Sequence, residues 1–327
     1  MRTRTPLTRL AAGTAVVALA LTGCSVTTEA GGEDVSVGKG SIQKDEALAG
    51  QSIAIGSKEF TENIVLGHIA MLALKAAGAN VVDKTNIKGS VNVRKAMLAG
   101  EVNAYWEYTG TGWITYLGHT DPIADSQRQY EAVAKEDKEK NGVVWGAIAP
   151  ANNTYALAVR EDKAKEWNLK TLSDLAAFVK KNPDQATFCF ETEFSSRNDG
   201  WNGVAKTYGM NVPAANRKVM DVGVVYNETK KGESCNFGEV YVTDGRISNL
   251  KLVPLEDDKH FFPIYNPALT LNKDTAAKYP SLASVLDPIA AKLDNDTLRK
   301  LNERVDVKGE SVAQVTADWM KQEGFIG

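Results

Sequence analysis

Histidine and cysteine are scarce in this 327-residue chain, three of each. His68, His119 and His260 stand far apart, none beside a cysteine or a second histidine at ligand spacing, so no zinc site can be built from them. There is no Gly-x-Ser-x-Gly elbow, no phosphate-cradling loop and no dinucleotide fingerprint; Gly110-Thr111-Gly112 is too short to be one. Nothing points to a catalytic carboxylate pair, and neither an enzyme nor a cofactor is expected. Basic runs are missing too: 38 Lys and Arg stand against 41 Asp and Glu, a net charge of −3. Without a basic patch to neutralise phosphates, nucleic acid is excluded as a partner.

Long apolar runs are also absent. The one near the start, Leu10 to Leu21, is too short to span a bilayer, which takes about 20 residues. It follows Arg2, Arg4 and Arg9 with no acid and finishes in small residues, the pattern of a secretory signal over residues 1–23. Its ending, Leu21-Thr22-Gly23-Cys24, resembles the lipobox of bacterial lipoproteins. That resemblance implies cleavage before Cys24, lipidation of its thiol, and an extracytoplasmic protein anchored to the outer face of the cell membrane. Losing three arginines takes the net charge from −3 to −6. Residues 24–50, rich in Ser, Thr, Gly and acids, have little to bury and read as a flexible tether. Some 25 random-coil residues would reach roughly 25–30 Å. Cys189 and Cys235 then remain, and in an exported protein such a pair is expected to oxidise to a disulfide rather than stay as two buried thiols.

With about 43% hydrophobic residues, the chain can bury a core divided over two domains. Ser52–Gly56 reads as a buried strand. Ile64, Val65, Ile69, Leu72 and Leu74 then recur at helical spacing until Gly78. A strand (80–84), a helix (91–99) and an aromatic strand follow. Strands alternating with helices through short connections are a parallel-sheet pattern. After the turn-rich Pro150-Ala151-Asn152-Asn153 a second such series begins at Thr154, with helices at 173–180 and 197–208. A strand at 268–271 and three helices close the chain. Two α/β lobes leave a cleft, with the chain crossing near Asn152-Asn153 and near Tyr265, and clefts between lobes are where small ligands bind.

The aromatic strand, Val102 to Tyr108, is the centre of the pattern. Alternation puts Trp106 and Tyr108 on one face and Tyr105 and Glu107 on the other. It runs into Gly110-Thr111-Gly112, where two glycines permit a sharp turn and a close approach. An aromatic residue delivered to the C-terminal edge of a strand lies where open α/β sheets bind small ligands.

Several stretches in order resemble one family: Ile55-Gly56-Ser57-Lys58-Glu59-Phe60-Thr61-Glu62, Tyr105 to Gly112, Asn153-Thr154-Tyr155-Ala156, Arg197-Asn198-Asp199-Gly200, Thr243-Asp244-Gly245-Arg246-Ile247 and Asp257 to Asn266. The family is the glycine betaine/carnitine/choline-binding subunit of ABC importers for osmoprotectants, and the likeness runs from about residue 51 to the end. It implies a type II periplasmic-binding-protein fold. Lobe I would comprise 51–153 and 264–327, and lobe II 154–263, joined by a two-crossing hinge. It also implies a protein, expected as a monomer, that delivers a ligand to the permease. Carried over by position, the resemblance implies a quaternary-ammonium cage of Tyr108, Tyr155, Tyr241 and Tyr265, with Lys58, Thr111 and Arg197 meeting a carboxylate tail. The segment Lys230 to Phe237 looks longer than usual, which leaves Tyr226 as a substitute for Tyr241. Threonine at 111, where choline-restricted relatives carry an acid, implies broader tolerance. Glu107 is expected to be structural or permease-facing. A same-fold receptor for another zwitterion, such as a trimethylated histidine derivative or an amino acid, and a lipoprotein that senses without delivering, stay open as alternatives.

Physics favours such a cage. A trimethylammonium has no N–H to donate, whereas aromatic faces attract it at roughly 0.5–2 kcal/mol per ring. Three or four rings would supply much of the roughly −8 kcal/mol that micromolar binding needs. A carboxylate is held best by a guanidinium fork.

Overall fold

The computed structural model describes residues 37–327, so the signal segment and Cys24 lie outside the described residues. Ten strands form two five-stranded sheets. In chain order they are β1 (Ser52–Lys58), β2 (Asn80–Ile87), β3 (Ala104–Tyr108), β4 (Val143–Ile148), β5 (Tyr155–Arg160), β6 (Phe188–Phe190), β7 (Arg217–Val219), β8 (Phe237–Tyr241), β9 (Leu252–Pro254) and β10 (Pro267–Asn272). The first sheet runs β2-β1-β3-β10-β4 and the second β7-β6-β8-β5-β9.

Both sheets are mixed, where the alternation of strands and helices predicts parallel ones. β1 pairs parallel with β2 and β3, while β10 lies antiparallel between β3 and β4. The second sheet repeats this scheme: β6 is parallel to β7 and β8, and β5 is antiparallel to β8 and β9. The reason is topological. A strand that enters a lobe through a crossing arrives from the opposite end and can only insert antiparallel. Alternation along β3 works as its sequence requires, with Trp106 packing into the core beneath the helix Thr61–Ala76 and Tyr105 into the cluster on the other face.

Three local expectations change. The Thr-Gly-Thr-Gly stretch does not turn sharply: β3 passes straight into a helical turn, Thr109–Thr111, and a π-helical segment, Gly112–Tyr116. Its glycines serve packing instead, since a Cβ on Gly110 would lie 2.6 Å from the Tyr265 ring. The helix expected over 197–208 starts only at Trp201, as Trp201–Tyr208, after the Arg197–Gly200 corner that ends a separate short helix, Thr192–Ser196. Residues 37–50, expected within the flexible tether, are folded onto the body. Gly38 and Ile42 donate their N–H groups to Gly327 and Phe325 carbonyls, and Leu48 is fully buried. A few apolar residues at the right positions (Val37, Ile42, Leu48) suffice to dock a segment whose average composition is polar.

Cys189 in β6 and Cys235 just before β8 are joined in a disulfide, Cα to Cα 5.8 Å. The helix Val222–Lys231 precedes it, an element that its short, weakly apolar sequence did not announce. Among the described residues no helix is long and apolar enough to cross a membrane, and no cluster of His, Cys, Asp or Glu could hold a metal.

Candidate functional site

A cavity of about 500 Å³ lies between the two sheets, within the range of roughly 300–1,000 Å³ usual for small-molecule sites. All seven residues singled out for a ligand line it: Lys58, Tyr108, Thr111, Tyr155, Arg197, Tyr241 and Tyr265.

Strand register brings the rings together. Tyr155 opens β5 and pairs directly with Tyr241 at the end of β8, placing their ring centroids 5.3 Å apart. Tyr265, on the returning crossing, meets Tyr155 edge-to-face at 5.4 Å. Its backbone N–H donates to Asn152 Oδ1, which links the two crossings. Tyr108 ends β3 on the opposite side. Burial raises the pKa of all four phenols well above the ordinary tyrosine range, so they stay neutral rings.

Phe60 is a fifth ring that sequence reasoning passed over. It stacks on Tyr241 at 5.2 Å, lies 5.9 Å from Tyr108, and lines the cavity. The signal was present in Ser-Lys-Glu-Phe-Thr-Glu, but a phenylalanine entering a helix reads first as core. Tyr226, the substitute for Tyr241, is fully buried behind β8, where its hydroxyl accepts the Tyr241 N–H at 2.9 Å. It supports the cavity wall from outside the cavity.

The polar groups are more committed than expected. Lys58, 3% exposed, pairs with fully buried Glu107 at 2.5 Å and lies 5.2 Å above the Tyr108 ring centroid. Glu107 also accepts from the hydroxyls of Tyr105 and Tyr116 and from the Tyr108 N–H. That burial rules out a permease-facing role for Glu107. Arg197 forms a two-bond fork with Asp199, approaches Thr111 Oγ1 at 3.4 Å, and lies 5.8 Å from the Tyr155 ring centroid. Burial pushes the Asp199 pKa up, but Arg197 and the Tyr265 hydroxyl outweigh it and hold the carboxyl below its ordinary range.

Acidic groups complete the wall. Glu191 accepts N–H bonds from Glu193 and Phe194, yet burial raises its pKa to about 7. Glu239 behind it is buried and raised well above the ordinary range, first by burial and then by the Glu191 charge. Glu193 reaches across the cleft to the Ser90 hydroxyl at 2.8 Å and to the Ser90 N–H at the start of the helix Ser90–Leu98. Lys88 and Asp221 approach to 3.5 Å beside it. The two lobes therefore touch across the cavity mouth, and the arrangement is a closed one.

Two α/β lobes, two crossings and a cavity of aromatic rings and paired charges between them define a solute-binding protein. Residues 51–322 match the family of the substrate binding domain of ABC-type glycine betaine transport systems, and the chain belongs to that family. It is 35% identical to the glycine-betaine-binding protein of Pseudomonas aeruginosa, over 84% of this chain and 89% of that one. It is 33% identical to the glycine betaine-binding protein YehZ of Escherichia coli, over 85% and 92%. The solved apo YehZ superposes with a TM-score of 0.62, covering 84% of this chain and 99% of that one. A crystal structure of a glycine betaine/carnitine/choline ABC transporter gives 0.67 at 26% identity, over 84% and 99%. The protein is an extracytoplasmic substrate-binding protein of an ABC importer, with the type II periplasmic-binding-protein fold. It binds a solute and is not an enzyme.

Proposed function

We propose that this protein captures a quaternary-ammonium osmoprotectant, such as glycine betaine, choline, carnitine or proline betaine, between its lobes and delivers it to the permease. The observation that carries the reading is the meeting of Tyr108, Tyr155, Tyr241, Tyr265 and Phe60, from five separate stretches, around one cavity. Such a cluster suits a cation that offers methyl groups and no N–H. Arg197 and Thr111 stand on the wall where a carboxylate tail would be received, and Arg197 keeps a guanidinium edge near Thr111. Lys58 acts through the Tyr108 face and as the counter-ion of Glu107, and it meets the tail less directly than Arg197. Lobe I is taken as 51–153 with 264–327 and lobe II as 154–263, moving about the two crossings. Lipidation at Cys24 would hold the monomer at the membrane, supported by the Leu-Thr-Gly-Cys ending.

Isothermal titration with glycine betaine, choline, carnitine, proline betaine and free amino acids tests the reading. Micromolar or tighter binding of at least one quaternary-ammonium compound, with amino acids silent, is the expected result. Binding of amino acids alone would overturn it.

A further inference from the structure

Glu62 does not line the cavity, yet it joins the cage to both lobes. It is the second residue of the helix Thr61–Ala76 and is 3% exposed. Its carboxylate accepts four hydrogen bonds: from the Tyr108 hydroxyl (2.9 Å), Asn153 Nδ2 (2.8 Å), Thr243 Oγ1 (2.5 Å) and Asn302 Nδ2 (3.0 Å). The donors come from the end of β3, the first crossing, the segment after β8 in the second lobe, and the helix Asn295–Asp306. Asn302 also donates to the Thr243 carbonyl, closing the ring of bonds.

A carboxylate offers about four lone-pair sites and no donor, so four donors favour its ionised form and work against burial, which raises the Glu62 pKa. An amide in its place would turn an NH₂ group towards two of them. All four donors are neutral side chains, so none of these bonds cancels the charge. Asp199, which receives the Tyr265 hydroxyl, differs because Arg197 neutralises it. A phenol donating to a carboxylate is polarised towards phenolate, which makes its ring face more negative. A ligand cation over the ring face that Lys58 does not cover is then held more strongly, while an uncharged group of the same shape gains nothing.

We infer that Glu62 is a positioning residue that makes the cage charge-selective: it fixes and polarises Tyr108 and ties that ring to the second lobe through Thr243. The inference rests on the cation reading of the cavity and adds the group that distinguishes a cation from its uncharged isostere. Tyr108 touches the ligand; Glu62 acts through it.

The test is calorimetry on wild type, Glu62→Gln, Tyr108→Phe, their double variant and Thr243→Val. The probe is choline or glycine betaine, whichever wild type binds, beside the compound with carbon in place of the quaternary nitrogen. Glu62→Gln is expected to weaken the cation about tenfold or more and its carbon isostere much less. Thr243→Val keeps the charge, and should weaken both alike. The Glu62→Gln and Tyr108→Phe losses should be markedly less than additive. Where the isostere binds too weakly to titrate, this cycle decides. If Glu62→Gln fails to fold, as read by circular dichroism, Tyr108→Phe alone must show a cation-specific loss. Equal losses for cation and isostere, additive losses in the cycle, or an unaffected Tyr108→Phe overturn the inference while the function stands. A wild type that binds no quaternary-ammonium compound overturns both.

Discussion

Arg197 and Asp199 face each other as a fork on the cavity wall, Nε to Oδ1 at 2.8 Å and Nη2 to Oδ2 at 2.6 Å. Asp199 takes the Tyr265 hydroxyl on the same oxygen as Nη2, at 2.6 Å. One buried carboxylate thus orients both the Tyr265 ring on the cavity and the Arg197 guanidinium. The side facing Thr111 and Glu193 is held only by contacts of 3.4 and 3.5 Å, which an incoming carboxylate could improve upon.

Arg197→Ala should therefore weaken glycine betaine about 10- to 100-fold, the range for a charge-assisted hydrogen bond. Choline, without a carboxylate, should lose far less, the remainder reflecting the Asp199 charge left unpaired. Paired calorimetric titrations decide this, and equal losses for the two ligands would remove Arg197 from the tail site.

Tyr155 carries its role in the ring. It meets Tyr241 at 5.3 Å, Tyr265 at 5.4 Å and Phe194 at 5.0 Å. Tyr155→Phe should change cation affinity by less than about threefold, and Tyr155→Ala by tenfold or more, since a cation–π contact contributes roughly 0.5–2 kcal/mol. Similar losses from both would show that the hydroxyl, not the face, makes the contact.

Phe60, stacked on Tyr241, has no hydroxyl to orient or donate. Phe60→Ala is expected to weaken a quaternary-ammonium ligand about 3- to 30-fold by the same range of ring energies, and Phe60→Tyr much less. An alanine variant with unchanged affinity and unchanged melting temperature would place Phe60 outside the cage.

Glu191 gives the site a pH dependence. Burial raises its pKa to about 7, so it is neutral below that pH and anionic above. A cation in the cavity should bind several-fold more weakly at pH 6 than at pH 8, with Glu191→Gln flattening the profile. Stability runs the other way. With a folded pKa above the ordinary 4.5, Glu191 contributes stability below pH 4.5 that is lost as pH rises through about 7. Glu239 adds to this in the same direction, whereas Glu193 and Asp199 are shifted down and oppose it. A pH-independent affinity in wild type would show that Glu191 stays in one protonation state over this range.

The Cys189–Cys235 bridge closes a separation of 46 residues within the second sheet. Replacing both cysteines by serine should lower unfolding stability by about 2–4 kcal/mol. Neither sulfur lines the cavity, so ligand affinity should change by less than about twofold. A large affinity loss with little change in denaturation midpoint would mean that the bridge sets the cleft geometry.

What the amino-acid order determined by itself was local and periodic. Apolar spacing marked the helix under Trp106 and the strand series, because 3.6- and 2-residue repeats are written along the chain. The ordered motifs carried the family and, position by position, seven of the residues that line the cavity. Averages misled where a few residues decide. Val37, Ile42 and Leu48 dock a segment of polar composition, and in the helix Val222–Lys231 only Val225, Tyr226 and Thr229 carry the buried face. Tertiary structure alone decided which partners these residues hold. Tyr155 sits opposite Tyr241 only because β5 inserts antiparallel beside β8. Lys58 belongs to Glu107, and Glu62 to Tyr108 and Thr243, because the ends of strands and crossings converge there. A buried charge must find a partner or donors wherever the fold places them, and that constraint acts across space, with no period along the sequence.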